Sequence, residues 1–326
     1  MNNNIKILQN GGGWVDNIGN AFIDFGCNAL LKKAIPESKI HLTSVFPRWM
    51  FHNINRGIKD ILQKNMGDRS YIFNIQDYAN VDYIVQCGAF LSKGWFDLHG
   101  ETLLKLQSKG IRLIINGGGM GETAYTEEGI EKTRKYLKKL NPYIFISRDE
   151  KSFESFKDLA EYSYNGIDVG FFVKDYYEPL NLDIPDYATV NFDKVPEPDL
   201  NIDPNLEIIR THQAFWFNFP IHKYPKMKKS YYNKENTLIS EIPDDYLNLY
   251  ANTSVTYSDR VHSCVATFSY GHPAQLFGET PRSLLFDRIG ASKIKNKVIH
   301  PSETNLEKEK GKQVQFLSEI LNSKSE

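Results

Sequence analysis

Ile5-Lys6-Ile7-Leu8-Gln9-Asn10-Gly11-Gly12-Gly13 sets a short β-rich run against a glycine turn, and the apolar segment 21–31 that follows reads as a helix. Strand, tight turn and helix in that order make a βα unit. The pattern then repeats. Segments 39–43, 71–75, 83–86, 112–115 and 143–147 read as further strands, each ending in a turn rich in Gly, Asn, Arg or Asp. Segments 100–108 and 127–140 read as intervening helices, the second with Ile130, Leu137 and Leu140 on one face and basic residues around it. That basic run is most simply a solvated face. Alternation of this kind builds a parallel sheet covered by helices.

The strongest shift in composition falls at 176–206, where Pro179, Pro185, Pro196, Pro198 and Pro204 stand among acidic and polar residues. Beyond it the alternation resumes, with strands at 206–210, 254–257 and 273–277 and helices at 244–250 and 261–270. Thr304-x-x-Glu307 reads as a capping box before Val314, Leu317 and Leu321, so a helix should close the chain. The expected organisation is an N-terminal Rossmann-like domain over 1–175, a Pro-rich linker over 176–206, a C-terminal Rossmann-like domain over 207–300, and a C-terminal helix over 301–326. The expected fold class is α/β, with the two domains facing a cleft. Ligands of such folds bind at the carboxyl ends of the strands.

A chain of 326 residues suits two domains at about 150 residues each. Hydrophobic residues at 41% and charged residues at 24% exclude general disorder. Thirty-nine Lys plus Arg against 40 Asp plus Glu leave no global basic field for nucleic acid or an anionic membrane. The opening MNNNIKILQN lacks the build of a signal peptide, and no apolar run approaches the ~18 residues of a membrane span. A cytoplasmic protein is expected. Cys27, Cys87 and Cys264 show no zinc-type spacing, and the histidines no paired-ligand grouping, so no metal is expected.

Turn residues carry the candidate chemistry. Gly12 and Gly13, with Asn17, Gly19 and Asn20, open a helix and could cradle an anion, or simply form a tight turn. Gly117, Gly118 and Gly119 after an apolar strand imply close approach to a ligand or to another loop. His99 lies in the loop that follows Cys87-Gly88-Ala89-Phe90. Ser147-Arg148-Asp149 has two readings: Asp149 caps the next helix while Arg148 makes a salt bridge, or Arg148 clamps an anion. Ser258-Asp259-Arg260-Val261-His262-Ser263 sets an arginine and a histidine at a helix start, where phosphate or carboxylate could be held while an imidazole moves a proton. A buried capping network is the plain alternative. Phe215, Trp216, Tyr224, Tyr231 and Tyr232 could stack on sugar rings or anchor a loop, and Lys226, Lys228 and Lys229 could meet a phosphate or keep that loop soluble.

In order along the chain, Asp16-Asn17-Ile18-Gly19-Asn20, Cys87-Gly88-Ala89, Gly117-Gly118-Gly119-Met120-Gly121, Ser147-Arg148-Asp149-Glu150-Lys151-Ser152, Asn165-Gly166-Ile167-Asp168-Val169-Gly170, Ser258-Asp259-Arg260-Val261-His262-Ser263 and Gly271-His272-Pro273 resemble the polysaccharide pyruvyl transferase family. The resemblance implies a two-domain, GT-B-like fold and transfer of the enolpyruvyl-derived group of phosphoenolpyruvate to a sugar, giving a pyruvate ketal. It implies no cofactor beyond that donor substrate. By position, Arg260 and Arg148 would hold the donor's phosphate and carboxylate, His262 would protonate its methylene carbon, and His99 would lie against it. Gly117, Gly118, Gly119, Ser258, Val261 and Ser263 would complete the donor site. The acceptor would be a lipid-linked or nucleotide-linked sugar of a cell-surface polysaccharide precursor, met in the cytoplasm or at the inner face of the membrane. Three positions depart from the family pattern: Cys87-Gly88-Ala89 replaces three glycines, Asn20 an aspartate, and Pro281-Arg282 stands where a lysine is common. A nucleotide-sugar glycosyltransferase and a noncatalytic glycan-binding relative are the competing readings.

Overall fold

The computed structural model describes residues 5–44, 73–121, 124–213 and 234–323. Six parallel strands form the first sheet: β1 (Lys6–Gly11), β2 (Lys39–Ser44), β3 (Tyr83–Leu91), β4 (Arg112–Met120), β5 (Ile144–Ser147) and β6 (Tyr162–Asn165), in the order β2-β1-β3-β4-β5-β6. Helices α1 (Gly19–Ala34), α2 (Lys93–Gln107), α3 (Glu127–Leu140) and α4 (Glu150–Phe156) cover it. The second sheet joins β7 (Tyr187–Asn191), β8 (Glu207–Thr211), β9 (Thr237–Leu238), β10 (Val255–Ser258) and β11 (Ala274–Leu276) in the order β11-β10-β7-β8-β9, again all parallel. Helices α5 (Pro243–Asn252) and α6 (Val261–Tyr270) belong to it, and α7 (Leu306–Asn322) ends the described chain. The fold is α/β with two Rossmann-like domains, and among the described residues no helix is long and apolar enough to cross a membrane.

Helix ends lie where local chemistry puts them. Thr126 Oγ1 accepts from Gly129 N–H at 3.1 Å, Glu127 and Glu128 occupy the first turn of α3, Lys138 and Lys139 the last, and Asn141 ends it in a left-handed conformation at φ 40°. Gly271 ends α6 in the same way, at φ 95°. Every residue of α6 is buried, because the helix sits between its own sheet and α1. One apolar cluster runs from Ile7 and Val85 through Cys27 and Leu30 of α1 and Phe171 and Phe172 to Val265 and Phe268 of α6, so the two domains share a core. α1 packs closely on the 3-10 turn Val169–Asp175: a Cβ at Gly26 would lie 2.0 Å from the Val169 carbonyl oxygen.

Five expectations are corrected. The 176–206 stretch is not merely a linker, because it contains β7, an inner strand of the second sheet; the prolines flank Tyr187–Asn191 but leave its N–H groups free to pair. The helix expected from residue 100 begins at Lys93, where the Ser92 hydroxyl accepts from Trp95 N–H, and His99 is therefore on α2 and not in a loop. The glycines Gly117, Gly118 and Gly119 lie inside β4 and not in a turn after it. Thr304-x-x-Glu307 is not the cap of the last helix: its N-cap is Asn305, with no side-chain cap, and the reciprocal capping pair is His300 and Glu303 around a 3-10 turn. The strand expected at 71–75 falls partly outside the described residues, and Ile75–Tyr78 is a 3-10 turn. The segment 222–233 and the aromatic and lysine residues at 215–232 lie outside them altogether.

Candidate active site

In the second sheet the chain order reverses between β7 and β10, and the loops that follow these strands diverge there. That is where open parallel sheets hold ligands. A pocket enclosing about 250 Å³ of non-protein space, its mouth included, lies at this point and is lined by Asn17, Lys194, Gln213, Arg260, Val261, His262 and Arg282. Lys194 follows β7, Gln213 follows β8, and Arg260 to His262 lead from β10 into α6. Asn17 comes from the other domain, just before α1. Three cationic side chains and an imidazole thus face one small volume at the N-terminal end of α6. The N-cap of that helix is Arg260, which makes no side-chain cap, so the positive end of the dipole adds to the field.

Buried carboxylates set the loops. Asp259 accepts from the N–H groups of Asp193, Lys194 and Val195 at 3.1, 2.6 and 2.9 Å, which ties the loop after β7 to the loop after β10. Asp193 accepts from Gln213 N–H at 3.0 Å, meets His212 Nδ1 at 2.8 Å and lies 3.7 Å from Arg260 Nε. Across the domain boundary, Arg260 Nη2 donates to Asn17 Oδ1 at 2.6 Å, and Ile18 N–H donates to the Gln213 carbonyl at 3.0 Å. Gly19 completes this contact: a Cβ there would lie 2.9 Å from His262 Cβ and 3.1 Å from Gln213 Oε1.

Beneath the pocket lies a second unit. Arg148 Nη1 donates to Asp168 Oδ2 at 2.9 Å, and the same oxygen lies 3.5 Å from His262 Nε2. Arg148 and Asp168 are 1% and 0% exposed, so the pair is wholly desolvated. Burial would raise the Asp168 pKa, but the His262 imidazole and the Arg148 guanidinium outweigh it and hold the carboxyl well below the usual range. For His262 burial wins: it lowers the imidazole below its ordinary value against the pull of Asp168, with Arg148 and Arg282 adding to the lowering. At neutral pH the resting imidazole is therefore largely uncharged.

Both structural readings of the Arg148 segment are present: the salt bridge to Asp168, and an Asp149 cap whose Oδ1 accepts from Ser152 N–H at 2.8 Å. Arg148 is not among the pocket-lining residues. The glycines of β4 make room for it, since a Cβ at Gly119 would lie 2.3 Å from Arg148 Nε; Gly117 and Gly118 likewise approach Val169 and Ile115, not open space. The N-terminal glycine turn closes on the protein itself. Gly12 N–H at 2.8 Å and Trp14 Nε1–H at 2.6 Å both donate to Asp24 Oδ2, so this cradle is filled by the chain's own carboxyl group. The Gly13 carbonyl accepts from Asn17 N–H and Asn20 Nδ2.

Of the residues singled out in the sequence, Asn17, Arg260, Val261 and His262 line the pocket and Gly19 backs it. Ser258 and Ser263 are buried below it, the first accepting from Arg260 N–H at 2.8 Å and the second donating to Asn191 Oδ1 at 2.8 Å. His99 is buried on α2 against Trp95. Asp168, Asp193, Lys194, Gln213 and Arg282 were not picked out as site residues. Asp168 stands inside the block Asn165-Gly166-Ile167-Asp168 and Arg282 at the departure after Pro281, so both had a signal; Asp193, Lys194 and Gln213 had none, since strand β7 was hidden among prolines.

The sequence matches the polysaccharide pyruvyl transferase family over residues 17–278. No curated protein matches it. Among solved structures, UDP-N-acetylglucosamine 2-epimerase from Rickettsia bellii is similar at 12% identity, covering 98% of this chain and 95% of that chain with a TM-score of 0.54. Methanocaldococcus jannaschii UDP-GlcNAc 2-epimerase, in complex with UDP-GlcNAc and UDP, is similar at 11% identity, covering 98% and 99% with a TM-score of 0.50. At these identities the likeness is one of fold, a GT-B-like pair of Rossmann-like domains.

Proposed function

The chain belongs to the polysaccharide pyruvyl transferase family, and on that premise we propose that it transfers the enolpyruvyl-derived group of phosphoenolpyruvate to a sugar of a cell-surface polysaccharide precursor, forming a pyruvate ketal. The observation that carries this reading is the convergence of Lys194, Arg260, Arg282 and His262 on one pocket at the start of α6. A donor with an ionised phosphate and an ionised carboxylate matches such a field. In this reading Arg260, Lys194, Arg282 and the first N–H groups of α6 hold the two anionic groups. Arg148 acts at one remove, fixing Asp168, which in turn holds His262.

The chemistry asks His262 for a proton. Its resting neutrality is no obstacle, because the donor's negative charge beside it raises its proton affinity when the donor binds. The alkene electrons of the donor take that proton at C3, making a methyl group and leaving C2 electron-poor. A sugar hydroxyl oxygen attacks C2 and its proton restores the one the imidazole gave up, the C2–O bond to phosphate breaks with its electron pair leaving on phosphate, and a second hydroxyl closes the ketal, its proton leaving on the phosphate as hydrogen phosphate. One donor and one diol thus yield one ketal and one inorganic phosphate. The cations and the helix dipole stabilise the phosphate as it departs. The acceptor would be lipid-linked or nucleotide-linked, met in the cytoplasm or at the inner face of the membrane.

The test is phosphate release from phosphoenolpyruvate with a panel of nucleotide-linked and lipid-linked sugars, run on wild type, Arg260→Ala and His262→Ala. Acceptor-dependent release in the wild type, abolished in both variants, is the expected result. Absence of both release and phosphoenolpyruvate binding, together with binding of a nucleotide sugar, would replace this reading with a glycosyltransferase; sugar binding without turnover would indicate a noncatalytic glycan binder.

A further inference from the structure

Gln213 lines the pocket, is 1% exposed, and has one polar atom left over. Its N–H is bound to Asp193, its carbonyl to Ile18 N–H, and its Nε2 to Tyr250 Oη at 2.9 Å, while its buried Oε1 has no hydrogen-bond partner among the described residues. A buried acceptor without a donor carries a desolvation penalty that native proteins seldom leave standing.

The orientation of this amide is set by a chain of hydrogen bonds whose direction can be followed from one end. The Thr211 carbonyl can only accept, so Asn191 must present Nδ2 to it, at 2.7 Å. Asn191 Oδ1 then faces Ser263 Oγ at 2.8 Å and must receive its hydrogen. The Ser263 oxygen in turn takes the hydrogen of Tyr250, at 3.0 Å. Having given its only hydrogen away, Tyr250 Oη can only accept, from Thr211 Oγ1 at 3.1 Å and from the amide beside it. Gln213 must therefore turn Nε2 toward Tyr250 and leave Oε1 beside Gly19, where a Cβ would lie 3.1 Å from it, 2.9 Å from His262 Cβ and 3.4 Å from Asn17 Oδ1, so the atom sits in the pocket wall that Asn17 and His262 share. Every member of the chain is buried, so water does not scramble it.

We propose that Gln213 Oε1 accepts the hydrogen bond of the attacking sugar hydroxyl and so orients the acceptor substrate beside the donor. The rest of the pocket supplies cations and an imidazole, which suit the ionised phosphate and carboxylate of the donor. Those groups carry only lone pairs toward an amide oxygen and are repelled by it. A ligand that satisfies Oε1 must bring a hydrogen, and the substrate that brings one is the alcohol. This rests on the pyruvyl-transfer reading for the identity of the donor.

The test uses the full chain and probes that separate the two substrates. Wild type, Gln213→Met, Tyr250→Phe and Arg260→Ala are titrated calorimetrically with phosphoenolpyruvate. They are then examined by saturation-transfer NMR with the methyl glycosides of galactose, glucose and mannose, in the presence of phosphoenolpyruvate or inorganic phosphate. Gln213→Met keeps side-chain length and loses both the free acceptor and the Nε2–H bound to Tyr250, which still accepts from Thr211; Tyr250→Phe leaves Gln213 in place but removes what fixes its orientation. Expected are phosphoenolpyruvate affinities within about twofold of wild type for both variants, a loss of about tenfold in glycoside affinity for Gln213→Met, a smaller loss for Tyr250→Phe, and unchanged unfolding midpoints for Gln213→Met. Arg260→Ala should show the opposite pattern. A fall of fivefold or more in phosphoenolpyruvate affinity for Gln213→Met, glycoside binding equal to wild type, or no glycoside bound by wild type would overturn the inference. Failure of wild type to bind phosphoenolpyruvate would instead remove the donor reading, and the glycoside arm with inorganic phosphate would still judge Gln213.

Discussion

Replacing Arg148 by methionine or Asp168 by asparagine breaks an ion pair that is 2.9 Å long and screened from solvent on all sides. Each single change strands a buried charge, and such losses run to about 3–5 kcal/mol. That is a large share of the ~5–15 kcal/mol by which a folded protein is stable. The double variant strands nothing: methionine fills the guanidinium's volume and asparagine keeps an oxygen for Gly170 N–H, which donates to Asp168 Oδ1 at 2.8 Å. It should be more stable than either single variant. Activity should behave differently. A unit charge at the 3.5 Å separation of Asp168 Oδ2 from His262 Nε2 is worth at most about 5 kcal/mol at an effective dielectric of about 20, a change of about three and a half in the imidazole pKa. Without it, protonated His262 becomes scarce, and turnover should fall by about a hundredfold or more in Asp168→Asn and in the double variant alike. Urea unfolding of the four proteins, beside their phosphate release, gives both cycles. If the double variant lost the sum of the two single losses, the pair would not be coupled; if it recovered activity with stability, Asp168 would serve the fold and not His262.

Asp24 predicts a pH dependence of stability. Burial pushes it up to about 7, against hydrogen bonds from Trp14, Gly12 and Cys87 that lower it, so its contribution is fully present below pH ~4 and is lost as pH rises through ~7. Wild type should lose up to about 4 kcal/mol between pH 4 and 8, and Asp24→Asn should flatten that fall in denaturant titrations at the two pH values. Gly19→Ala should press on His262 and Gln213 and lower turnover by about tenfold with little change in unfolding midpoint; a normal rate would show that the domains part at this contact. Gln313→Ala removes the acceptor of Ile167 N–H, a bond of 2.7 Å, and should destabilise the protein by about 1–3 kcal/mol in urea unfolding; a loss under 0.5 would mean that water replaces it.

The parts of the fold that were legible in the sequence are those whose signals are local. Helix α3 begins and ends at the residues expected because Thr126, the charged turns and Asn141 mark both ends, and Val261–Tyr270 because Arg260 breaks out of β10 and Gly271 stops the helix. Strand β7 was hidden by its neighbours, since prolines on both sides suggested a linker while its own five residues were all buried. The same holds in the site. Arg260 and His262 sit two apart at a strand-to-helix junction and can be read directly. The partnership of Arg148 with Asp168 spans 20 residues, and that of Asp193 with Gln213 also spans 20; both depend on which strands lie side by side, which no local pattern specifies. The glycine run implies close approach to a ligand or to another part of the chain, and it is the second: Gly119 meets the buried Arg148, and Gly117 meets Val169.

The last helix returns from the second domain to the first. Its Gln313 binds Ile167 N–H, Lys310 pairs with Asp175 at 3.1 Å, and Leu317 and Leu321 join the cluster around α1. The N-terminal structural unit is therefore discontinuous in sequence. Recombination between relatives at a single crossover after residue 175 would give each chimera a first sheet from one parent and its closing helix from the other. A two-crossover exchange, which moves 176–300 as a cassette and keeps the final helix with its own sheet, respects the unit that folds together.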